Sequence, residues 1–261
     1  MNRTRTIAPA TPAADVVEAL RRGLLLGLAI AALVIPSGTR FGEKKPPAGS
    51  TPVGIAPAVL ARPGPRLADF TTLTPSPDAR HVADWVADSR DNQGSEFVIV
   101  DKKFATVYVF DADARLRGAT PVLLGVAAGD DSMAGIGTRA IAEVRPQERT
   151  TPAGRFMAEL GHNTLGEDVV WIDYDAAVSM HRVRTTNPKE RRLERLATPS
   201  IDDNRVSYGC INVPVTFYES LLRPIFAARH APVYVLPEVK SVQQVFGSYD
   251  VRTARLAPPR P

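Results

Sequence analysis

The 261-residue sequence contains one cysteine, Cys210, within the hexapeptide Ser-Tyr-Gly-Cys-Ile-Asn at residues 207–212. A cysteine acts as a nucleophile when its thiol ionises, and the surrounding residues favour that use. Gly209 permits a tight turn beside the sulfur, and a helix predicted to begin at Pro214 would lower the thiol pKa through its positive end. The N–H groups of Gly209 and Cys210 would then face a developing oxyanion. An inert buried thiol is the alternative.

A nucleophilic thiol needs a neighbouring base, and the chain offers four histidines. His181 ends an apolar run upstream of the cysteine, so we expect it at the rim of a β domain, where a substrate can reach it. His162 falls at a predicted hairpin tip, His230 in a connection, and His81 off the apolar stripe of a predicted helix. The sequence therefore predicts His181 as the base for Cys210, with a buried, hydrogen-bonded histidine as the alternative.

Composition excludes several other chemistries. Four dispersed histidines and one cysteine show no metal-ligand spacing, so neither a metal nor a cofactor is expected. Asp130 and Asp131 lie in a predicted loop over 129–138 and are interpreted as a solvated turn rather than a cation site. The net charge of +4 is not organised into arginine-rich runs interleaved with aromatic residues, so nucleic acid is not an expected partner.

The elements that must position this chemistry are mainly strands. Short runs of β-branched and aromatic residues between turn signals predict a β-rich domain. The predicted strands cover 97–100, 104–110, 122–124, a strand entered from 151–156, 169–172, 177–181 and 232–236. Helices are predicted over 77–89, with Ser76 as N-cap and Pro77 in the first turn, over 188–197 with Asn187 as cap, and over 214–222.

The chain ends differ in composition from this domain. In residues 1–36, Arg21 and Arg22 precede a 13-residue apolar run, which predicts an export signal or, alternatively, an uncleaved anchor in the inner membrane. A proline-rich linker follows over 37–66, then a helical extension over 67–95, the main domain over 96–240 and a basic tail over 241–261. The protein is therefore expected in the periplasm or cell envelope.

Four pieces of the sequence occur in an order that indicates a known family. They are the strand pair at 98–110, Thr-Pro-x-Gly-x-Phe at 151–156, the strand ending in His181, and Ser-x-Gly-Cys-Ile-Asn at 207–212. Together they resemble the catalytic domain of L,D-transpeptidases (the YkuD-type domain), which remodel bacterial peptidoglycan, over about residues 96–237. The resemblance implies a mainly β fold, a curved β-sandwich or barrel-like domain with a few short helices.

The resemblance also implies a set of roles. Cys210 would be the nucleophile, and His181 its base and later acid, oriented by the backbone carbonyl of Arg182. The oxyanion would be bound by the N–H groups of Gly209 and Cys210, with that of Tyr208 as a third donor. Two further positions would shape the substrate site, Ser207 and Asn212.

The implied partners are peptidoglycan stem peptides and carbapenem-type inhibitors. The thiolate would attack the L,D bond of a tetrapeptide stem and pass the acyl group to an amine, giving a 3→3 cross-link. Transfer to water, as in an L,D-carboxypeptidase, and a non-catalytic wall-binding protein are the alternatives.

The chain departs from the family pattern at Tyr208, where histidine is common, and at Arg182. The segment between His181 and Cys210 is long and basic, and its Arg184 is a candidate for substrate carboxylates, a solvated insertion being the alternative.

Overall fold

The computed structural model describes residues 64–256, which fold mainly as β-strands with short helices, as the sequence predicts. The strands of this part are β1 (Phe97–Asp101), β2 (Thr106–Phe110), β3 (Leu116–Pro121), β4 (Leu124–Gly125), β5 (Gly154–His162), β6 (Asp168–Asp173), β7 (Val178–Arg182), β8 (Arg205–Ser207), β9 (Ile211–Val213) and β10 (Ala231–Val235).

The helices are fewer than the strands. They are α1 (Pro77–Ser89), α2 (Arg192–Ala197), a continuous helix α3 made of Val215–Phe217, a π-helical turn Tyr218–Leu222 and Arg223–Ala228, then α4 (Val242–Phe246) and α5 (Val251–Leu256). Short 3-10 turns cover Ile136–Thr138, Ile141–Glu143, Pro146–Glu148, Pro188–Glu190 and Ile201–Asn204.

The main sheet curves until its two ends nearly meet. Its strand order is β3-β2-β1-β10-β5-β6-β7-β9, and β4, which follows β3 in the chain, pairs with β8. Leu123, beside β4, exchanges two backbone hydrogen bonds of 2.9 and 2.8 Å with Asn212 of the far edge strand β9. This closure brings the segment around Cys210 against the start of the 122–153 connection.

The central strands are buried on both faces. Val98 and Val100 point into a core enclosed by the curved sheet, whereas Phe97 and Ile99 pack in a second core outside it. The continuous apolar runs of β1 and β2 are typical of strands covered on both sides.

Helix α1 covers the outer core with the bounds that the sequence predicts. Its N-cap Ser76 accepts a hydrogen bond from the Ala79 N–H at 3.1 Å, and Val82 and Val86 are fully buried. The same core contains Val242 of α4 and Val251 of α5. Residues 241–256, for which the sequence indicates a basic tail, are therefore helical and packed, because burying these two valines favours an ordered chain over a solvated one.

Several element bounds differ from the predictions. β3 was not predicted, because its sequence, Leu-Arg-Gly-Ala-Thr-Pro, has no alternating or continuous apolar pattern; the strand is held by pairing with β2. The predicted helix over 188–197 is divided at Arg191, whose φ of 47° separates a 3-10 turn from α2. Helix α3 continues beyond Leu222 to Ala228 through a π-helical turn that precedes Pro224, which cannot donate an intrahelical hydrogen bond.

Asp130 is buried in an ion pair, which corrects the interpretation of this loop as a solvated turn. Lys102 is also buried, and its Nζ donates to Asp130 Oδ1 at 3.1 Å, to the Thr151 carbonyl at 2.9 Å and to the Gly129 carbonyl. Three acceptors around one nitrogen require the ammonium form. Asp130 also accepts the backbone N–H groups of 238, 239 and 240, which outweigh its burial and lower its pKa to about 2.

The predicted export signal or anchor over 1–36, most of the linker over 37–66 and the end of the chain after 256 lie outside the described residues. Within 64–256, none of the helices has the length and apolar character needed to cross a membrane.

Removing the buried ammonium should destabilise the fold far more than removing its exposed neighbour. Lys102→Met leaves Asp130 without its cationic partner and is expected to lower the free energy of unfolding by about 3 kcal/mol. The matched control is Lys103→Met, since Lys103 is exposed and pairs with Asp78 at the surface; it should cost less than about 1 kcal/mol. Urea unfolding of both variants measures the difference, and equal losses would contradict a structural role for the pair.

Acid should remove the contribution of Asp130. Its folded pKa of about 2 lies below the ordinary 3.8, so the stabilisation is complete above about pH 4 and is lost as the pH falls towards 2. The stability difference between the wild type and Asp130→Asn should shrink by about 2 kcal/mol over that range. Asp131→Asn, at an exposed position, serves as control and should show no such change. Unfolding curves recorded between pH 2 and 7 test this.

Candidate active site

Parallel pairing of β7 with β9 brings Cys210 beside His181. Met180 lies opposite Ile211 and His181 opposite Asn212, so the cysteine immediately before β9 sits next to the end of β7. The two residues are 29 positions apart in the sequence, yet both are fixed by short strands of one sheet.

The Cys210 thiol is half-buried and lies among polar atoms. Its Sγ is 3.7 Å from Ser179 Oγ and 3.7 Å from the carbonyl oxygen of Ala177. Burial opposes ionisation, but a hydrogen bond and the charge of His181, together with the backbone and hydroxyl of Ser179, lower the pKa of Cys210 below its ordinary value. The environment therefore stabilises the thiolate relative to that of an ordinary cysteine.

His181 is held in one orientation by the backbone. Its Nδ1 lies 2.8 Å from the carbonyl oxygen of Arg182. A carbonyl can only accept a hydrogen bond, so Nδ1 carries the proton in the neutral ring and Nε2 is left to exchange a proton with the thiol.

The turn that presents Cys210 depends on Gly209. The φ of this residue is 123°, and a Cβ here would lie 2.8 Å from the Thr150 carbonyl oxygen. Only glycine has the space and the backbone freedom that this turn requires.

Ser207 closes the same turn through its hydroxyl. Ser207 Oγ accepts the Gly209 N–H at 3.1 Å and donates to the Cys210 carbonyl at 2.6 Å. The Gly209 N–H, expected from the resemblance as an oxyanion donor, is therefore engaged within the turn, and the N–H groups of Cys210 and Tyr208 are the other two predicted donors.

Thr151 stabilises the turn through its hydroxyl group, a role that the sequence did not predict. Its Oγ1 donates to the Gly209 carbonyl at 2.8 Å and accepts the Gly125 N–H at 3.0 Å. Its own carbonyl accepts from Lys102. The Thr-Pro-x-Gly-x-Phe motif was the available signal, but its partners lie too far away in the sequence to be identified from it.

The side chain of Arg182 points away from the cysteine. It bonds the carboxylates of Asp168, at 3.0 Å, and Glu219, at 2.5 Å, and its guanidinium lies 4.2 Å from the centre of the Tyr218 ring. These contacts raise the pKa of Arg182 despite partial burial and fix the strand end whose carbonyl orients His181.

Tyr208 is exposed beside Cys210. The guanidinium of Arg149 stacks 3.7 Å above its ring and is itself held by the Val144 carbonyl. The position that departs from the family pattern thus carries an aromatic ring and an adjoining cation.

A cavity of about 560 Å³ opens at the thiol. Its walls include six predicted site residues, Cys210, His181, Ser207, Tyr208, Asn212 and Arg184. The other two predicted residues, Gly209 and Arg182, lie behind the wall and act through their backbone. Arg139 and Trp171 also line the cavity and were not predicted, because no local pattern relates them to the cysteine.

Asn212 connects the cysteine to the basic segment. It is completely buried, its Nδ2 donates to the Cys210 carbonyl at 3.3 Å, and its Oδ1 accepts from Arg192. The segment over 182–206, which the sequence left between a binding role and a solvated insertion, therefore contributes a contact two residues from Cys210. Among the described residues, no group of His, Cys, Asp and Glu side chains is arranged to hold a metal ion.

No protein-family model and no curated protein matches the chain, but many solved structures do. Many of the solved structures that match are L,D-transpeptidases, the family that the sequence motifs indicate. One is an L,D-transpeptidase from Xylanimonas cellulosilytica, 17% identical over 54% of this chain and 60% of that chain, with a TM-score of 0.32.

Two further matches are another L,D-transpeptidase and a cell-shape protein. The catalytic domain of an L,D-transpeptidase from E. faecium is 19% identical, over 55% of this chain and 98% of that chain, with a TM-score of 0.30. The helical cell shape determining protein Pgp2 from Campylobacter jejuni is 14% identical, over 60% of this chain and 55% of that chain, with a TM-score of 0.37. The chain thus spans little more than half the length of the solved Xylanimonas and Campylobacter chains.

The reactivity of the thiol should depend on His181. Alkylation of Cys210 by iodoacetamide should rise with pH around a midpoint below 9.0, the ordinary thiol pKa. His181→Ala removes the main group that favours the thiolate and should raise that midpoint by about one unit or more. His162→Ala, an exposed histidine at the end of β5, is the control and should leave it unchanged. A midpoint indifferent to His181→Ala would mean that the two side chains do not interact.

Proposed function

We propose that this chain is a cysteine acyltransferase of the L,D-transpeptidase type acting on peptidoglycan stem peptides. The observation that carries the proposal is the alignment of the Arg182 carbonyl, the His181 ring and the Cys210 thiol of lowered pKa, at the wall of an open cavity. The order of motifs in the sequence supports the same reaction.

In the first half-reaction, His181 Nε2 takes the proton of the Cys210 thiol, and the resulting thiolate attacks the carbonyl carbon of the bond between the third and fourth residues of a tetrapeptide stem. The carbonyl oxygen takes up the negative charge, and the N–H groups of Cys210 and Tyr208 stabilise it. The amide bond then breaks, and protonated His181 gives its Nε2 proton to the departing amine of D-alanine. A thioester between Cys210 and the third residue remains.

In the second half-reaction, an amine of another stem attacks the thioester carbonyl. His181 accepts the proton of that amine, the C–S bond breaks, and the thiolate is regenerated with a 3→3 cross-link as product. Water in place of the amine would yield a tripeptide, the outcome of an L,D-carboxypeptidase.

Peptidoglycan lies outside the cytoplasmic membrane, so the proposal requires export of the catalytic domain. We assign this to residues 1–36, as a cleaved signal or as an anchor in the inner membrane. The proline-rich residues 37–66 would then separate the domain from the membrane surface.

The full chain incubated with disaccharide tetrapeptide should release D-alanine and form dimers. Cys210→Ala should keep the thermal stability of the wild type and lose turnover by about a thousandfold or more, because the nucleophile is gone. A carbapenem should add to the wild type at Cys210 and not to the variant. Mass spectrometry of the muropeptides and of the intact protein measures both.

Other products would assign a different function. Tripeptides without dimers would indicate a carboxypeptidase. Unchanged substrate together with the absence of a carbapenem adduct would refute the catalytic proposal and favour a wall-binding protein.

A further inference from the structure

The cavity at Cys210 has an unbalanced charge. Three arginines are among the described residues that line it, Arg139, Arg184 and Arg192, and none of those lining residues is an aspartate or glutamate. Each arginine has a carboxylate neighbour that does not line the cavity, respectively Glu148, Glu167 and Glu190, of which Glu148 is buried and Glu167 is exposed. The charged side chains that line the cavity itself are therefore all cationic.

Arg192 is fixed relative to the nucleophile. Its Nε bonds Glu190 at 2.5 Å and its Nη1 donates to Asn212, which in turn donates to the Cys210 carbonyl. A guanidinium carries five N–H donors, and these two contacts leave part of the fork for a ligand.

Arg139 has a donor that lacks a partner. Its Nη atoms reach Glu148 at 3.1 and 3.4 Å, but its Nε is buried without any hydrogen-bond partner among the described residues. An unpaired buried donor costs free energy, so the described residues do not fully satisfy this guanidinium. Arg184 completes the set from a more exposed position, 3.4 Å from Glu167.

We propose that these three arginines select donor peptides whose carboxyl groups are free rather than amidated. This inference rests on the proposed function, because it specifies the substrate of the same site. A tetrapeptide stem ends in a carboxylate beside the scissile bond, and its glutamyl and diamino acid residues carry further carboxyl groups that can be carboxylates or carboxamides. Arginine binds a carboxylate through two parallel charge-assisted hydrogen bonds, whereas a carboxamide offers one acceptor and no charge.

The test compares two tetrapeptides that differ only in having carboxylates or carboxamides at the glutamyl and diamino acid residues. Calorimetric titration into the full-length Cys210→Ala protein measures affinity without turnover. The acidic peptide should bind about 10- to 100-fold more tightly than the amidated one, and added salt should reduce the ratio by screening the charges.

Single substitutions of the arginines should reduce this preference. Arg139→Gln, Arg184→Gln and Arg192→Gln, each in the Cys210→Ala background, should weaken binding of the acidic peptide about three- to fivefold and weaken that of the amidated peptide less. Arg117→Gln is the matched control, because Arg117 pairs with Glu96 and does not line the cavity; it should change neither affinity. In the wild-type background, alkylation of Cys210 by the uncharged iodoacetamide should keep its rate in the Arg139 and Arg184 variants.

Equal affinities for the two peptides, no binding of either, or a ratio that all three substitutions leave unchanged would overturn the inference. The outcome is distinct from that of the proposed function. Selective binding of the acidic peptide by a protein that never releases D-alanine would support the carboxylate site and refute the transpeptidase. Turnover of both peptides at equal kcat/KM would support the transpeptidase and refute the carboxylate site.

Discussion

The buried ammonium of Lys102 is the interaction on which the site depends. The ammonium donates hydrogen bonds to Asp130 and to the carbonyls of Gly129 and Thr151. These three bonds compensate for the large free-energy cost of removing a charge from water. Because it fixes Thr151, whose hydroxyl holds the Gly209 carbonyl, the ammonium supports the turn that presents Cys210. Three segments that are remote in the sequence are thereby joined behind the nucleophile.

The reactivity of the thiol follows from opposing effects in a small volume. Burial disfavours the thiolate, whereas His181 and Ser179 stabilise it, and the second effect dominates. His181 can serve this purpose because the Arg182 carbonyl leaves only Nε2 for the sulfur, and Arg182 is itself held by Asp168 and Glu219. Each reactive atom is positioned by a second group that is not part of the reaction.

Reactive and recognition groups occupy different parts of the fold. Cys210 directly precedes β9 and His181 lies near the end of β7, and these two strands pair in parallel. The arginines of the cavity lie on the long connections between β4 and β5 and between β7 and β8. Connections tolerate substitution and insertion better than strands do, so such a site can alter its preferred substrate without altering its nucleophile.

The sequence by itself determined the features that depend on neighbouring residues. The N-cap at Ser76 defined α1, apolar runs defined the central strands, and the motifs around Gly209 and before His181 located the thiol and its proposed base. The tertiary structure decided what depends on contacts between distant residues. Thr151 meets Gly209 across 58 positions, Lys102 meets Asp130 across 28, and Arg192 meets Asn212 across 20. No local pattern encodes these contacts, because each exists only once the sheet has closed and brought the two segments together.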